Sequence, residues 1–293
     1  EAAADPNAAG FVAEDWTLVW ADEFDADGPP DPAHWEFDRG LVRNRELQLY
    51  TDRLENARVE GGVLVIEAHK EQVPNPGYDP AAPEAHWQKS WESVPYTSAA
   101  VQSRGRHAMT YGRIAVRAKL PEGRGMWPAI WMLGEDYDGA GGDVPWPRCG
   151  EIDIMENLGH APWYIYNSFH YFKGANEYTV GQHNFVKPSP SGQVYSGTNY
   201  SEAFHTYAVK WEPGKITWFI DDQQVSEAYS DEADFEDLYL QINLAMGGNW
   251  TNFPTSAGGL GRSRGNHFPN ADDLANFSDP ALEIDYVRVY APR

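Results

Sequence analysis

Short runs of alternating apolar and polar residues recur along the whole chain, separated by segments rich in Gly and Pro. A period of two is typical of β-strands, because successive side chains of a strand point to opposite faces. In the last run, Tyr286, Arg288 and Tyr290 share one face, whereas Val287 and Val289 share the other. The pattern predicts ten main strands, within Trp16–Trp20, Gly62–Ala68, Gly112–Leu120, Pro128–Leu133, Ile152–Met155, Tyr164–Tyr171, His205–Trp211, Ile216–Ile220, Leu238–Leu244 and Leu282–Tyr290.

Helical patterns are few and weak in this sequence. Many short strands without long helices favour an antiparallel sandwich or barrel. The chain has 293 residues, of which 42% are hydrophobic, so it can bury one large β-sheet core. No shift in composition marks a domain boundary. We therefore predict one domain over residues 1–293, with residues 1–13 as a loosely ordered N-terminal extension.

The charge balance restricts the class of partner. There are 44 acidic and 22 basic residues, which gives a net charge of −22. Nucleic acids and anionic membrane surfaces both need a basic patch, so neither is an expected partner. A neutral partner is the simplest expectation. The 12 Trp and 16 Tyr suit half-exposed positions, such as the faces of a binding cleft, although a core rich in Trp would use them equally well.

The single cysteine, Cys149, excludes an intramolecular disulfide. This is typical of the cytosol, but many secreted bacterial proteins also lack disulfides, so the cysteine count leaves the compartment open. No stretch of the sequence is apolar for long enough to predict a transmembrane helix.

The segment Gly150–Asn157, GEIDIMEN, contains the most informative residues. In a strand, Glu151 and Asp153 point to the same face, and strict alternation would place Glu156 on the opposite, apolar face. One extra residue in a β-bulge would return Glu156 to the face of the other two acids. We therefore predict a bulge at or near Met155.

The spacing of these acids is compatible with glycoside hydrolysis. Four effective strand steps put the two glutamate Cα atoms roughly 13 Å apart, and side chains leaning together leave about 5 Å between the carboxyl groups. Retaining glycosidases need about 5–5.5 Å, and inverting ones need more. A solvated acidic face or a metal site is the rival interpretation. Like charges on one face destabilise a sheet, so the complete set of three acids favours catalysis.

At these residues the sequence resembles glycoside hydrolase family 16, whose signature is E-x-D-x-x-E. The resemblance extends over nearly the whole chain. Within the family, the sequence is most similar to the laminarinase-like endo-1,3-β-glucanases. It implies a β-jelly-roll sandwich of two curved antiparallel sheets, with the substrate across the concave face. The matching segments are WADEFD at 20–25, NRELQLYT at 44–51, YGRIAVRAKLP at 111–121, GMWPAIWMLG at 125–134, NLAMGGNW at 243–250 and DYVRVY at 285–290.

The resemblance implies a role for each acid. Glu151 would be the nucleophile, Glu156 the general acid and then the general base, and Asp153 a partner that tunes the nucleophile. It also implies sugar-binding roles for a further set of residues: Asn44, Arg113, Trp127, Trp131, His170 and Trp250. The tryptophans would offer flat faces to sugars, and His170 would lie beside the acid/base residue.

The resemblance further implies a structural calcium ion on the convex side, with no cofactor for catalysis. Its ligands would be Glu23, a backbone carbonyl at Gly61 or Gly62, and Asp285, since hard cations prefer oxygen ligands. Ordinary solvated acids are the alternative interpretation for Glu23 and Asp285.

The sequence thus predicts a retaining endo-glycosidase that acts on 1,3-β-glucan of the laminarin type, with mixed 1,3-1,4-β-glucan as a further candidate substrate. The same mechanism on an algal galactan such as agar or carrageenan is one alternative, and a non-catalytic glucan-binding lectin is another. Transglycosylation also remains open. We expect a monomer that is secreted to the cell exterior or the periplasm, with its signal peptide absent from this chain.

Overall fold

Two eight-stranded antiparallel sheets account for most of the structure, a computed structural model that describes residues 15–139, 144–173, 177–185, 198–229, 236–248 and 280–293. We call them the back sheet and the site sheet. The back sheet runs β17-β16-β15-β10-β19-β5-β4, and β1 also pairs with β19. Its strands are β1 Trp16–Asp22, β4 Ala57–Glu60, β5 Val63–Glu67, β10 Gly112–Lys119, β15 His205–Glu212, β16 Lys215–Ile220, β17 Gln223–Tyr229 and β19 Ala281–Pro292.

The site sheet runs β14-β13-β12-β11-β18-β8-β2, and β9 also pairs with β18. Because β12 lies between β13 and β11, anything bound over its acids has two neighbouring strands to contact. The strands of this sheet are β2 Glu36–Phe37, β8 Ala100–Gln102, β9 Ala108–Met109, β11 Met126–Gly134, β12 Glu151–Glu156, β13 Tyr166–Lys173, β14 Glu177–Phe185 and β18 Leu238–Met246.

A small third sheet lies beside the sandwich and contains one parallel pair. It is formed by β3 Gln48–Tyr50, β6 His69–Pro74 and β7 Ser93–Ser98. The one-turn helix α1, Trp87–Ser90, lies in the connection between β6 and β7. Trp87 and Trp91 contact each other there, with ring centroids 5.2 Å apart. The structure confirms all ten predicted strands. The third sheet was not predicted, and neither were the strands β2, β4, β8, β9, β14 and β17.

The core between the two large sheets follows the predicted alternation. On β10, Ile114 and Val116 point into the core, whereas Ala115 lies on the outer face of the back sheet with Tyr286. On β19, Val287 and Val289 point inward, as the sequence predicts. Burying this apolar surface is the main favourable contribution to folding, at about 25 cal/mol per Å². β18 is buried along its whole length, so its outward face is covered as well.

No helix in the described ranges is long and apolar enough to cross a membrane. The predicted N-terminal extension, residues 1–13, lies outside the described residues, and so does Trp250.

Candidate active site

The predicted β-bulge is present in β12. On its β11 neighbour, Ile130 pairs with Met155 and Trp131 pairs with Asp153, so Ile154 has no partner in this register. The pairing with β13 shifts over the same stretch. An unpaired extra residue of this kind turns the strand and re-aims the side chains that follow it.

The bulge separates apolar from acidic side chains. Ile152, Ile154 and Met155 all point into the core and are at most 1% exposed. The acidic face of β12 carries the remaining three side chains, those of Glu151, Asp153 and Glu156. Two consecutive inward residues, Ile154 and Met155, are what returns Glu156 to the acidic face, as the sequence predicts.

Two buried side chains bind the carbonyl groups that the bulge frees. The indole of Trp218, which reaches across the core from β16, donates to the Asp153 carbonyl at 2.9 Å. The amide Nδ2 of Asn167 on β13 donates to the Ile154 carbonyl at 2.7 Å. A buried carbonyl without a partner destabilises a fold, so these two bonds stabilise the bulged conformation.

His170 on β13 lies directly opposite Glu151 in the sheet. Its Nε2 is 3.4 Å from Glu151 Oε1 and 3.2 Å from Asp153 Oδ2. Ser168, two residues earlier on the same face, donates its hydroxyl to Asp153 Oδ2. The residue paired with Glu156 is Tyr166, so His170 lies opposite Glu151, and its predicted place beside the acid/base residue stays a prediction.

Each of the two glutamates accepts one indole N–H. Trp127, half-buried on β11, donates to Glu156 Oε1 at 2.9 Å. Trp146, in the loop before β12 and 41% exposed, donates to Glu151 Oε2 at 2.9 Å. Its ring centroid also lies 5.4 Å from that of His170. Each carboxyl group therefore has a neutral indole donor, and Glu151 also has His170 nearby.

The electrostatics of the two glutamates differ. Burial raises the pKa of Glu151, and the Asp153 charge raises it further, whereas His170 and the Trp146 N–H oppose the shift. Burial and then Asp153 also raise the pKa of Glu156, where the Trp127 N–H is the main opposing group. The anion is thus better supported at Glu151 than at Glu156.

Within the described ranges, His170 supplies positive charge at close range to Glu151 and Asp153. Burial lowers its pKa, but the hydrogen bond to Asp153 and the Glu151 charge outweigh this and raise the pKa to about 9. Atoms of Glu151, Asp153 and His170 lie within 4.8 Å of one another, a spacing that could hold a metal ion. Close contacts between the His170 ring and both carboxyl groups join the three side chains into an acid–histidine network.

A chain of buried hydrogen bonds extends from β11 toward Asn44. Trp131 Nε1 donates to Asn243 Oδ1 at 2.8 Å, and Asn243 Nδ2 bonds to the Tyr50 hydroxyl at 3.0 Å. The Tyr50 hydroxyl donates to Glu46 at 3.2 Å, and Asn44 Nδ2 donates to the same carboxyl group, also at 3.2 Å. Asn44 is therefore connected to the site sheet through Glu46, and its sugar-binding role stays a prediction.

Trp131 does not present the open ring face that its predicted role required. It is 8% exposed, and the guanidinium of Arg43 lies 5.1 Å from its ring centroid. Arg43 is itself bound to Asp38, which also accepts from Gln241 at 2.6 Å. The cation–π contact occupies the Trp131 face. Trp127 has the better geometry for contact with a sugar.

Arg113 is the clearest error among the predicted sugar-binding residues. It lies on β10 of the back sheet, on the face turned away from the core. Its guanidinium pairs with Asp222 at 2.5 Å and lies over the Phe219 ring at 4.9 Å. Strand alternation predicts that two faces exist, but the sequence around Arg113 does not say which sheet its strand joins.

The predicted calcium ligands are engaged by arginines. Both carboxylate oxygens of Glu23 accept from Arg288, at 2.8 and 2.9 Å, and Asp285 accepts from Arg117 at 2.5 Å. At Gly61, the backbone N–H donates to Asp27 at 2.8 Å. An arginine competes with a cation for a carboxylate, so Glu23 and Asp285 do not fit a calcium centre in this arrangement. Calcium at Glu23, Gly61 and Asp285 stays a prediction.

Two residues at the acids were missed from the sequence. Ser168 was detectable, since Tyr166, Ser168 and His170 share one face by simple alternation. Trp146 was not, because it lies in a loop whose path no periodicity describes. Its neighbouring Trp146–Pro147 peptide bond is cis.

A row of half-buried and buried carboxyl groups on a sheet, with one acid better stabilised as an anion and another as a neutral acid, suits the cleavage of glycosidic bonds. Three comparisons with known proteins agree with this class. The profile of glycosyl hydrolases family 16 matches residues 34–258. A β-glucanase from Rhodothermus marinus is 38% identical over 289 residues, which cover 94% of this chain and 85% of that protein.

Solved structures extend the likeness to the fold. LamA from Z. galactanivorans, in complex with laminaritriose and laminaritetraose, has a TM-score of 0.70 and 34% identity, covering 94% of this chain and 99% of that chain. A structure from work on endo-acting O-glycanases of the human gut microbiota, which initiate mucin breakdown, has a TM-score of 0.76 and 30% identity. It covers 95% of this chain and 91% of that chain.

The chain belongs to glycoside hydrolase family 16. Its fold is the β-jelly-roll sandwich that the sequence predicts. It is a retaining glycoside hydrolase, and enzymes of this family need no cofactor for catalysis.

Proposed function

We propose that this enzyme is an endo-acting 1,3-β-glucanase, with Glu151 as the nucleophile and Glu156 as the acid/base residue. The observation that carries the assignment is the unequal support of the two carboxyl groups. Glu151 has a protonated histidine within 3.4 Å and an indole donor, whereas Glu156 has an indole donor and two acidic neighbours that raise its pKa. An ionised nucleophile and a protonated acid need that difference.

In the first step, Glu151 attacks the anomeric carbon while Glu156 protonates the departing glycosidic oxygen, which yields a glycosyl–enzyme ester. In the second step, Glu156, now a carboxylate, removes a proton from water, and the water oxygen displaces Glu151. Asp153 and His170 hold the position and charge of Glu151 through both steps. Two displacements restore the original anomeric configuration.

The glucan assignment is supported by the relatives and by the charge. The Rhodothermus relative is named a β-glucanase, and the Z. galactanivorans structure contains laminari-oligosaccharides. A second relative, the glucan endo-1,3-β-glucosidase A1 of Niallia circulans, is 31% identical over 98% of this chain, which spans 39% of that relative. A net charge of −22 favours a neutral polymer over a sulfated one.

Mixed 1,3-1,4-β-glucan fits the same site. Galactans such as agar or carrageenan and mucin-type glycans are the alternatives, the latter because of the TM-score of 0.76. A glucan-binding lectin is the non-catalytic alternative. The three acids on one face argue against it, because binding alone would not need like charges buried together.

The test measures reducing sugar released from laminarin, lichenan, agarose, carrageenan, xyloglucan and mucin glycans, together with ¹H NMR of the anomer formed first. We expect cleavage of laminarin with the β-anomer as first product, and loss of this activity in Glu151→Gln. Glu283→Gln on the back sheet is the matched control. Cleavage of only a galactan or a mucin glycan would replace the substrate, and binding without cleavage would favour the lectin.

We also propose that the enzyme acts outside the cytoplasm as a monomer, since a polymeric glucan is met outside the cell. Fractionation of the producing cells and light scattering of the purified protein test these two statements. Recovery of the protein in the cytoplasm, or a stable dimer, would contradict them.

A further inference from the structure

An aromatic surface leads away from Glu156 on the side opposite to Trp127. Glu156 is paired with Tyr166 across the sheet, so the Tyr166 side chain lies next to the carboxyl group on the same face. The Tyr164 ring follows, with its centroid 6.5 Å from that of Tyr166, and the Trp163 ring follows that, again at 6.5 Å. Trp163 is 40% exposed, and the two tyrosines are half-buried.

The loop that carries these rings is firmly anchored. Asn157, fully buried, donates Nδ2 to the Tyr164 carbonyl at 2.7 Å and to the Ala161 carbonyl at 3.4 Å. Ile165, between the two tyrosines, is buried in the core. The rings are thus held in place before any ligand binds, which reduces the entropy lost on binding.

The other end of the loop is packed just as closely. Gly159 exchanges backbone hydrogen bonds with the turn before β11, donating to Met126 at 2.9 Å and accepting from Gly123 at 3.0 Å. A Cβ atom at Gly159 would lie 2.4 Å from the Gly123 carbonyl oxygen, so only glycine permits this approach.

Buried aromatic side chains are ordinary core residues, and one exposed aromatic is also unremarkable. Here three rings in sequence run from a carboxyl group of the active site to the surface, and none of them carries a formal charge. Burial, followed by the neighbouring Tyr164 and Glu156, raises the pKa of Tyr166 to about 12, so its hydroxyl stays neutral. Flat, neutral, half-exposed rings suit the C–H faces of sugars.

We infer that Tyr166, Tyr164 and Trp163 form an acceptor strip, which binds the glucosyl units on the reducing side of the cleaved bond. The inference rests on the proposed function. A glucan chain that crosses the acids contacts β11 on one side of β12 and β13 on the other. We assign its reducing part to the β13 side, because Tyr166 is the residue paired with Glu156, the proposed acid/base residue. The leaving oxygen meets Glu156, and the sugar attached to it then meets Tyr166.

The acceptor strip would affect two binding events that Glu151 and Glu156 do not control: binding of the leaving part of the glucan and binding of an incoming acceptor. It would bind the leaving part of the chain, which lowers KM for long substrates, and it would bind incoming sugar acceptors in competition with water. The strip therefore influences the balance of hydrolysis and transglycosylation through the occupancy of one surface.

The test compares Trp163→Ala, Tyr164→Ala and Trp163→Phe on two substrates: laminari-oligosaccharides of increasing length, and an aryl β-laminaribioside, which has only the aryl group on the acceptor side. We expect Trp163→Ala to lower kcat/KM about 5- to 20-fold for the long oligosaccharides, the range for truncating an aromatic anchor. The aryl substrate should change by less than about twofold. Trp163→Phe should retain most of the wild-type value.

Tyr229→Ala is the control, because Tyr229 is 67% exposed on β17 of the back sheet and its truncation should change neither substrate. Product analysis with added laminaribiose should show less transglycosylation for Trp163→Ala. Unchanged oligosaccharide kinetics, or an equal loss on both substrates, would overturn the acceptor strip alone. A wild-type enzyme that leaves laminarin intact would overturn the proposed function and the strip together. Thermal melting confirms that each variant is folded.

Discussion

The outer face of the back sheet and the acidic face of β12 treat carboxylates in opposite ways. On the back sheet, acids are paired with arginine or lysine: Glu23 with Arg288, Asp285 with Arg117, Glu283 with Lys119, Asp222 with Arg113, Glu212 with Lys210 and Glu227 with Lys215. On β12, three acids share one histidine and two indole donors.

The difference distinguishes carboxylates that stabilise the fold through ion pairs from carboxyl groups that can take part in a reaction. A carboxylate in an ion pair is stabilised as an anion and has little tendency to exchange a proton near neutral pH. On β12, burial and the Asp153 charge raise the pKa values of Glu151 and Glu156, and the opposing charge of His170 does not cancel the shift. A protein tolerates that destabilisation where a reaction uses it. The active site is therefore identified by what the acidic side chains are bonded to, and not by the acidic residues alone.

The largest expected effect comes from removing a catalytic carboxyl group from β12. Glu156→Gln should lower kcat on laminarin about 10²- to 10⁴-fold, the usual contribution of a general acid. On an aryl glycoside with an acidic leaving group the loss should be much smaller, because that group departs without protonation. Glu151→Gln should abolish activity on both substrates, since the ester cannot form.

Glu283→Gln is the matched control for this pair. Its carboxylate is 3.2 Å from Lys119 on the back sheet, and its removal should change kcat by less than about twofold. An activity loss at Glu283 comparable to that at Glu156 would contradict the division between the two sheets.

The bulge gives the second prediction. Asn167→Ala leaves the Ile154 carbonyl without its donor, which should lower the free energy of unfolding by about 1–3 kcal/mol. It should also lower kcat about 10²-fold, because a shift of about 1 Å in the acids costs that much. Chemical denaturation and laminarin kinetics measure the two effects.

Asn75 offers a control with the same architecture elsewhere. Its buried amide donates to the Gln88 and Trp91 carbonyls, at 2.8 and 2.7 Å, beside the small third sheet. Asn75→Ala should lower the free energy of unfolding similarly and leave kcat unchanged. If both variants lose kcat equally, the Asn167 contact has no specific role in the site.

The sequence predicts the bulge because only one arrangement satisfies both faces of β12. The core buries the apolar side chains of Ile152, Ile154 and Met155. The Glu156 carboxyl group must face solvent or a reacting group instead, so the strand needs one extra residue before Glu156. The same alternation identifies Ser168 and His170 as neighbours of the acids once β13 is known to pair with β12.

Tertiary contacts account for what the sequence does not predict. Arg113 lies on the back sheet because its strand, β10, pairs with β15 and β19. These partners are distant in the sequence, so the local pattern of residues does not predict the pairing. The guanidinium of Arg43 covers one face of the Trp131 ring, and Arg43 lies on a loop far from Trp131 in the sequence. Trp146 reaches Glu151 from a loop with no period at all.

The indole donors give the third prediction, on pH dependence. The Trp146 N–H stabilises the Glu151 anion, so Trp146→Phe should raise the pKa of Glu151 and move the acid limb of kcat/KM up by about 1 pH unit. The Trp127 N–H does the same at Glu156, so Trp127→Phe should move the alkaline limb up by a similar amount. Full pH profiles of kcat/KM on laminari-oligosaccharides measure both limbs, because their leaving groups need protonation by Glu156.

Other charged groups face these acids and are unchanged in the two variants. They are Asp153 and His170 for both glutamates, with Arg43 acting at Glu151. If both variants moved the same limb, the two glutamates would not have separate roles, and the assignment of nucleophile and acid would fail.

The smallest effect is expected at the Glu23–Arg288 pair, which also decides the calcium question. The side chains are 33% and 14% exposed, so a double-mutant cycle with Glu23→Gln and Arg288→Gln should give a coupling energy of about 0.5–1 kcal/mol. Activity should not change, because the pair lies on the back sheet. If Arg288 holds the Glu23 carboxylate in solution, a chelator should leave the melting temperature of the wild type unaltered. A melting temperature that falls with chelator and recovers with Ca²⁺ would mean that an ion displaces the arginine, and part of the back sheet would then be held by a metal instead of by its ion pairs.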